Sequence, residues 1–382
     1  PGEIHVKEKL SGNIIDTSKY IDYTIVNPAK LSSSLQFDIC RRCHLQGTSV
    51  LQNGKNWNDF IPGTVLSETI DTYIPRYEND ESFIMASHVD RLQQSDCFKV
   101  GGVSCISCHN PHKSVTTLDN NYFNNKCISC HTDCRKTPKN TDCISCHMPK
   151  SSSIDIPHVS ITDHKISVHS NSKKVKGSFK ELACINNDSP TNLSKAKAYL
   201  KHYESFDQNP MLLDSAFMFL KRCEKEESFP FYIQYYYLKK DYKKLIKYSE
   251  YYSLDKLHNM FTNNILSIAY SRIAEAYSKC NFNEKSYANY LKSLELSPSN
   301  LDFLLKTSAL EIKMFKFEQA KIRLKKMIKL NPNSDKAYYN LGLIYLNVDK
   351  DLDIAKLYFE EALKLNPDYI QAKDMIKYIK SN

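Results

Sequence analysis

The sequence lacks several features that would assign it to common protein classes. No apolar run reaches the about 18–20 residues that a membrane-spanning helix needs, and no secretory signal sequence is visible. No nucleic-acid-binding motif accompanies the formal net charge of +9. Glycine accounts for only 9 of 382 residues and nearly disappears after residue 190. We therefore expect no membrane span and no nucleic-acid partner.

Histidine is also scarce, but its distribution is uneven. It makes up 12 of the 382 residues, and only His202 and His258 lie beyond residue 180. Cysteine, by contrast, is abundant at 13 residues, more than a reducing cytosol usually tolerates without metal. Eight cysteines form four C-x-x-C units, each followed directly by histidine. These cysteines are Cys40, Cys43, Cys105, Cys108, Cys127, Cys130, Cys143 and Cys146.

C-x-x-C-H is the attachment signature of c-type haem. The two thiols bond to the haem vinyl groups, and the histidine binds the iron as its proximal ligand. Zinc is the alternative, because the 18 residues between Cys108 and Cys127 also fit a zinc ribbon. A zinc site does not need histidine directly after each pair, so the fourfold pattern favours haem. The sequence predicts four covalently attached haem c groups, with His44, His109, His131 and His147 as proximal ligands.

The ligand on the opposite side of each iron decides the chemistry. A second histidine gives an electron-transferring haem, whereas an open position lets the iron bind and reduce a small molecule. The first 180 residues hold six further histidines for four irons. The candidate distal ligands are His112, His164, His88, His158 and His5, with His169 as a further one.

The positive charge has a simple explanation if haem is present. Each haem carries two propionates, so four haems would add about −8 and bring the protein close to neutral. The lysine and arginine excess is then explained by propionate partners and solvated helix faces. Bacteria attach haem covalently outside the cytoplasm, so we expect the periplasmic or extracellular side of a bacterial membrane, and an export signal upstream of Pro1.

The second half of the chain has a helical-repeat pattern. Apolar residues recur at helical spacing from about residue 190. Pro298, Pro332 and Pro367 are 34 and 35 residues apart, the period of tetratricopeptide repeats. One extra residue around 347–351 accounts for the longer interval. In the last repeat, the positions typical of this family are Tyr338, Leu341, Gly342, Tyr345, Ala355, Phe359 and Ala362.

These patterns predict a mainly α protein with three regions. Residues 1–180 form a loop-rich multihaem cytochrome c domain, whose core would consist largely of haem. Residues 181–264 form a helical region, with a looser helical pair at 229–253 that we interpret as a degenerate repeat. Residues 265–382 form a tetratricopeptide-repeat α-solenoid with a C-terminal capping helix at 370–380; a generic helical bundle is the alternative.

The stretches 105–112, 143–150 and 155–164 resemble bacterial multihaem cytochromes fused to tetratricopeptide repeats. More distantly, they resemble the tetrahaem electron-transfer proteins related to hydroxylamine oxidoreductase and nitrite reductase. The resemblance implies closely stacked haems with two histidine ligands each. Residues 1–5 look like the sequel of another C-x-x-C-H-G motif, which implies an upstream haem that His5 would serve. No motif ends in lysine, as the catalytic haem motif of nitrite reductase does.

Three functional hypotheses follow. The first is an electron carrier between redox partner proteins, with a repeat domain that docks a peptide or helix. The second is a reductase or oxidase of a small nitrogen or sulfur oxyanion at one five-coordinate haem, with charge from Arg41, Arg42 or Lys113. The third is an adaptor whose repeats carry the function. The motifs favour an electron carrier over a catalyst, and leave the question of catalysis open.

Overall fold

The computed structural model describes residues 2–17, 19–78, 87–131, 142–152, 158–168, 177–252 and 257–381. The chain is mainly helical and divides into two compact units, Pro1–Asp207 and Gln208–Asn382. Within the described residues, no helix has both the length and the apolar character needed to span a membrane.

The first unit combines short helices with two small sheets. Its helices are α1 (Glu3–Leu10), α2 (Ser33–His44), α3 (His88–Gln93), α4 (Asp96–Lys99), α5 (Cys105–Cys108), α6 (Asn120–Ile128), α7 (Cys143–His147) and α8 (Asn192–Ser205). Its strands are β1 (Thr48–Leu51), β2 (Ile70–Tyr77), β3 (Lys150–Ser152), β4 (Ser160–Thr162) and β5 (Phe179–Cys184). The order β1-β2-β5 forms an antiparallel sheet, in which Thr48 pairs with Tyr73 and Ile74 with Ala183. Strands β3 and β4 form an antiparallel pair.

The β1-β2-β5 sheet gives the loop-rich first unit a small protein core that the sequence pattern did not predict. Phe60, Leu66 and Ile70 form a buried cluster beside it, and Tyr73 is fully buried. The first five residues of β2 are all buried, so the strand lacks the apolar–polar alternation that marks a half-exposed strand. This explains why the sequence pattern did not predict it.

A buried polar network joins β2 to α8. The Tyr73 hydroxyl donates to Ser194 Oγ at 2.9 Å, and the Ser194 hydroxyl donates to Asp71 Oδ2 at 2.5 Å. The Asn187 amide donates to the other oxygen of Asp71 at 2.9 Å. Asp71 is fully buried, and these donors offset the cost of removing its carboxylate from water. The first unit therefore continues to Asp207, past the predicted boundary at residue 180.

Helix α8 also covers the edge of the sheet at β1. Lys201 Nζ donates to the Ser49 carbonyl at 2.9 Å, and Lys197 Nζ donates to the Leu51 carbonyl at 3.3 Å. His202 Nδ1 and Thr48 Oγ1 share a buried hydrogen bond of 2.8 Å. Side-chain donors thus satisfy carbonyl groups that an uncovered edge strand would expose.

The contact between His202 and β1 should make stability depend on pH. Burial lowers the pKa of His202 below its ordinary value of 6.5, with Asp207 opposing the shift. As pH falls through 6.5, the unfolded chain takes up a proton before folded His202 does, so stability is lost in that range. We expect the unfolding free energy to fall more between about pH 7.5 and pH 5.5 in the parent than in His202→Gln, as measured by urea denaturation.

His258 provides the matched control for this prediction, because its side chain is exposed. His258→Gln should retain the pH dependence of the parent. An unchanged pH dependence in His202→Gln would show that His202 does not contribute to the acid sensitivity.

The second unit consists of helical pairs in series. Its helices are α9 (Pro210–Leu220), α10 (Lys225–Leu238), α11 (Tyr242–Ser249), α12 (Asn263–Lys279), α13 (Asn283–Leu296), α14 (Leu301–Lys313), α15 (Phe317–Leu330), α16 (Asp335–Ile344), α17 (Leu352–Leu365) and α18 (Ile370–Ser381). The pairs α12/α13, α14/α15 and α16/α17 confirm the helical repeat that the proline spacing predicted. Each of these pairs packs together, and successive pairs contact one another in chain order.

The turn within each pair has the same backbone geometry. Lys240, Asn281, Phe315 and Lys350 have φ between 57° and 62°, and each lies between the two helices of a pair. Left-handed backbone ends a helix and reverses the chain, although glycine usually fills this position. The same turn between α10 and α11 shows that the looser pair predicted at 229–253 shares this geometry.

The extra residue of the last repeat lies in a widened helical turn. Residues Tyr345–Asp349 form one turn of π-helix between α16 and α17. Such a turn accommodates one additional residue without breaking the helix. The predicted location at 347–351 overlaps this turn.

Candidate haem-attachment site

Each C-x-x-C-H motif lies at a short helical segment. Helix α2 ends with residues 40–44, α5 spans Cys105–Cys108, and α7 spans Cys143–His147. The His109 amide donates to the Cys105 carbonyl at 2.8 Å, and the His131 amide donates to the Cys127 carbonyl at 2.9 Å. Residues three and four apart share one face of a helix. In these two motifs the hydrogen bond therefore keeps the two thiols and the imidazole within one turn of the chain, as attachment to a single haem requires.

The helices that carry the motifs are consecutive neighbours in space. Helix α2 contacts α5, α5 contacts α6, and α6 contacts α7. The Ser104 hydroxyl donates to Gln36 Oε1 at 3.0 Å, which links α5 to α2. The Cys143 amide donates to the buried Asn124 side chain at 3.1 Å, which links α7 to α6. Each motif helix thus contacts the helix that carries the next motif along the chain.

Four predicted ligands form a cluster of imidazole rings. The ring centroids of His44 and His88 are 5.6 Å apart, and those of His88 and His164 are 4.7 Å apart. His109 lies 6.2 Å from His164, with the two rings inclined by 29°. The cluster combines two predicted proximal ligands, His44 and His109, with two candidate distal ligands, His88 and His164.

The surroundings of these rings favour the form of imidazole that binds metal. Burial is the main cause that lowers the pKa values of His88 and His109, and it lowers that of His164 to about 4. These rings are therefore neutral at pH 7, which iron ligation requires.

Hydrogen bonds orient His164, which belongs to the cluster, and His147, a predicted proximal ligand outside it. His164 Nδ1 lies 3.0 Å from the Thr162 carbonyl, and His147 Nδ1 lies 3.2 Å from the Ser167 carbonyl. A carbonyl oxygen only accepts, so Nδ1 carries the proton in both rings and Nε2 keeps its lone pair. His88 Nδ1 is buried and has no hydrogen-bond partner among the described residues. An orphaned ring nitrogen beside two motif histidines fits a missing ligand at this place.

A buried ion pair positions His88 and His164. Arg91 Nε donates to Asp163 Oδ1 at 2.8 Å, and Arg91 Nη2 donates to Oδ2 at 2.5 Å. Both residues are at most 5% exposed. Arg91 follows His88 by one helical turn on α3, and Asp163 directly precedes His164. The sequence does not predict this pair, because no local signal distinguishes these charges from those of a solvated surface.

The remaining predicted ligands are not part of the cluster formed by His44, His88, His109 and His164. The side chains of His112, His131 and His158 are exposed, and His158 has a left-handed φ of 63°. His5 contacts Thr24 Oγ1 at 2.9 Å and Asp22 Oδ2 at 3.3 Å. His169 lies outside the described residues.

Within the described ranges, no group of three or more His, Cys, Asp or Glu side chains is arranged to hold a metal ion. A haem iron takes at most two protein side chains, so this finding does not test haem binding.

Residues 324–356 match the family model of the tetratricopeptide repeat. No curated protein matches the sequence significantly. Similar solved structures include the Arabidopsis OM64 TPR domain, at 22% identity over 31% of this chain and 98% of that chain, with a TM-score of 0.30. MamA 41-end from Desulfovibrio magneticus RS-1 is 18% identical over 42% of this chain and 85% of that chain, with a TM-score of 0.36. The first TPR of Spaghetti (RPAP3) bound to an HSP90 peptide is 22% identical over 30% of this chain and 91% of that chain, with a TM-score of 0.29.

The family match covers α16 and parts of both adjoining helices, so the second unit contains a tetratricopeptide repeat. This module indicates a role in protein–protein interaction.

Proposed function

We propose that the protein is a multihaem c-type cytochrome that transfers electrons between redox partner proteins. The cluster of His44, His88, His109 and His164 beside the motif helices carries this proposal. The repeats of the second unit would dock a peptide or helix of a partner. Covalent haem attachment in bacteria takes place on the periplasmic or extracellular side of the membrane, where we place the protein.

Two motifs meet at this cluster. Cys40 and Cys43 would attach one haem, with His44 as its proximal ligand. Cys105 and Cys108 would attach the next, with His109 as its proximal ligand. When bound, haem c supplies a reversible one-electron couple at iron. His88 and His164 are the distal ligands that the geometry favours for these two irons.

The surroundings of the cluster support electron transfer better than catalysis. Two motif histidines lie beside two further histidines, so each of two irons can receive two imidazoles. Thr162 holds the Nδ1 proton of His164 and directs the Nε2 lone pair outward as a ligand. Arg41, which the sequence suggested for an anion pocket, donates to Asp38 at 2.7 Å, so its charge is already compensated. The reductase or oxidase hypothesis would need an iron with an open position.

The test uses the full chain, exported with its native upstream sequence into a periplasm that attaches haem. We expect four haems per copy of residues 1–382, in addition to any held by an upstream segment. We also expect the dithionite-reduced spectrum to stay unchanged when carbon monoxide is added. Absence of covalent haem would overturn the proposal. A Soret shift that corresponds to about one haem would instead favour the reductase or oxidase.

The same spectra test the distal assignment. In His164→Ala, carbon monoxide should shift the Soret band by the amount of one haem, while the haem count stays the same. His258 is exposed and is not a candidate ligand, so it offers the control, and His258→Ala should behave like the parent. An unchanged response to carbon monoxide in His164→Ala would contradict the assignment.

A further inference from the structure

The turns within the helical pairs of the second unit share one end of the helical stack. Neighbouring helices that short turns connect run antiparallel, so the turns within pairs lie at one end and the turns between pairs at the other. Successive pairs contact one another, and α10 contacts α12 as α14 contacts α16. We call this end the turn edge; its turns are residues 239–241, 280–282, 314–316 and 345–351.

Each turn of the turn edge has an exposed lysine in it or directly before it. These lysines are Lys240, Lys279, Lys313 and Lys350, and none of them forms an ion pair with a residue that the structure describes. The turns between α13 and α14, α15 and α16, and α17 and α18 contain no lysine or arginine; they are residues 297–300, 331–334 and 366–369. The lysines at the turns of these repeats therefore collect at one end.

The carboxylates beside these turns do not neutralise the four lysines. Asp241 pairs with Lys244 at 2.9 Å, and Glu284 pairs with Lys316 at 3.5 Å. Asp349 pairs with Lys321 at 2.6 Å. Because each of these carboxylates is bonded to a different lysine, the turn edge keeps a positive surface.

Exposed apolar side chains lie at the same turns. Phe282 is 55% exposed and Phe315 is 81% exposed, and Val348 and Leu352 in the last repeat are 37% and 40% exposed. Lysine at the end of a helix also suits the helix dipole, so the lysines alone would not indicate a binding surface. The aromatic rings have no such explanation, because water surrounds them.

The backbone of Phe315 strengthens this argument. Its φ is 60°, a left-handed conformation that glycine adopts easily and a bulky side chain does not. Burial of the ring could offset that cost, but the ring is mostly exposed and only approaches Phe317 edge-on, with ring centroids 6.0 Å apart. Phenylalanine at this turn therefore costs stability in two ways, which favours a role in binding.

We propose that the turn edge binds the surface of an anionic phospholipid bilayer. The four lysines would lie among the lipid phosphates, and Phe282 and Phe315 would enter the boundary between headgroups and acyl chains. Protruding rings suit a bilayer better than a folded protein, because lipids yield around a ring whereas a folded partner needs a matching pocket for each one. An acidic soluble protein is the competing partner.

Membrane binding does not depend on haem, because all four haem motifs lie in the first unit and the turn edge lies in the second. It would hold the proposed electron carrier at the membrane surface. That consequence rests on the proposed function, whereas the binding itself does not. Exported protein without haem would refute the proposed function and leave the binding test unaffected.

The test measures cosedimentation of the full exported chain with lipid vesicles. We expect binding to vesicles of equal parts phosphatidylglycerol and phosphatidylcholine, and little binding to phosphatidylcholine alone. Binding should weaken between about 0.1 M and about 1 M salt, since the screening length falls from about 10 Å to about 3 Å. Equal binding to both vesicles, or binding to neither, would overturn the proposal. Binding to soluble polyglutamate without binding to the anionic vesicles would also overturn it, in favour of an acidic protein partner.

Charge reversal shows whether the turn edge is the surface that binds. Lys279→Glu combined with Lys313→Glu should weaken binding to the anionic vesicles by about tenfold or more. Lys325 and Lys326 are exposed on α15 away from the turns. Lys325→Glu combined with Lys326→Glu changes the net charge equally and should weaken binding by less than about threefold. Equal losses in the two double variants would overturn the assignment to the turn edge.

Replacing Phe315 by glycine separates binding from folding. Glycine suits the left-handed backbone, so Phe315→Gly should keep the unfolding free energy of the parent or raise it, as measured by urea denaturation. Its affinity for the anionic vesicles should fall by about tenfold. The matched variant Ile322→Ala removes an exposed apolar side chain from the middle of α15 and should bind like the parent. Undiminished binding in Phe315→Gly would contradict insertion of this ring into the membrane surface.

Discussion

Replacing Asp163 by alanine is expected to lower the free energy of unfolding of the first unit by about 3–5 kcal/mol, since it removes the carboxylate that accepts two hydrogen bonds from the buried Arg91 guanidinium. The guanidinium donates to both oxygens of Asp163, and each side chain is at most 6% exposed. Urea denaturation followed by circular dichroism would measure the loss.

An exposed ion pair provides the control for this prediction. Lys364 and Glu361 lie on the surface of α17, where water screens their interaction. Glu361→Ala should therefore change the unfolding free energy by less than about 0.5 kcal/mol. Replacing both Arg91 and Asp163 by leucine should recover much of the loss, because no buried charge remains. A loss of under about 1 kcal/mol in Asp163→Ala would show that the ion pair does not support this unit.

Replacing Phe359 by alanine should lower the free energy of unfolding of the second unit by about 3–5 kcal/mol. Phe359 is fully buried and packs with Leu346, Ala355 and Ala372. Its removal would leave a cavity between the helices of the last repeat, which neighbouring alanines are too small to fill. Urea denaturation would measure the loss. Ile322→Ala is the matched control, since Ile322 is 69% exposed on α15 and should cost less than about 0.5 kcal/mol.

Adding a methyl group at Gly342, which lies opposite Phe359, should also destabilise the second unit. A Cβ atom at Gly342 would lie 2.6 Å from Phe359 Cε1, closer than packed atoms can approach. We expect Gly342→Ala to lower the free energy of unfolding when Phe359 is present. The same substitution should be tolerated in the Phe359→Leu background. The preceding repeat supports this expectation, because Ser308 and Leu324 occupy the corresponding positions. Equal costs in both backgrounds would show that the two positions are independent.

The helical repeats could be predicted because their signals are local. Helical spacing, the prolines between repeats and the small residue at Gly342 all act within a single repeat, as the approach of Gly342 to Phe359 shows. Even the extra residue of the last repeat was located from the interval between Pro332 and Pro367. It forms the widened turn Tyr345–Asp349.

The sheet of the first unit could not be predicted in this way. Its strands are held by partners far along the chain, such as Ser194, which bonds to Asp71 across 123 residues. Asp71 has the sequence character of a surface residue, yet it is fully buried. Only its distant donors make burial possible, and no local pattern records them.

The candidate haem site also combines features that the local sequence predicts with features that depend on distant residues. The sequence by itself predicts which two thiols and which imidazole would serve one haem, because C-x-x-C-H spans a single helical turn. Only the tertiary structure brings His88 and His164 beside His44 and His109, and leaves His112 and His158 exposed. The physical reason is that the buried Arg91–Asp163 pair joins segments 72 residues apart. Spacing along the chain determines contacts within one turn, whereas contacts between distant segments depend on how the whole unit packs.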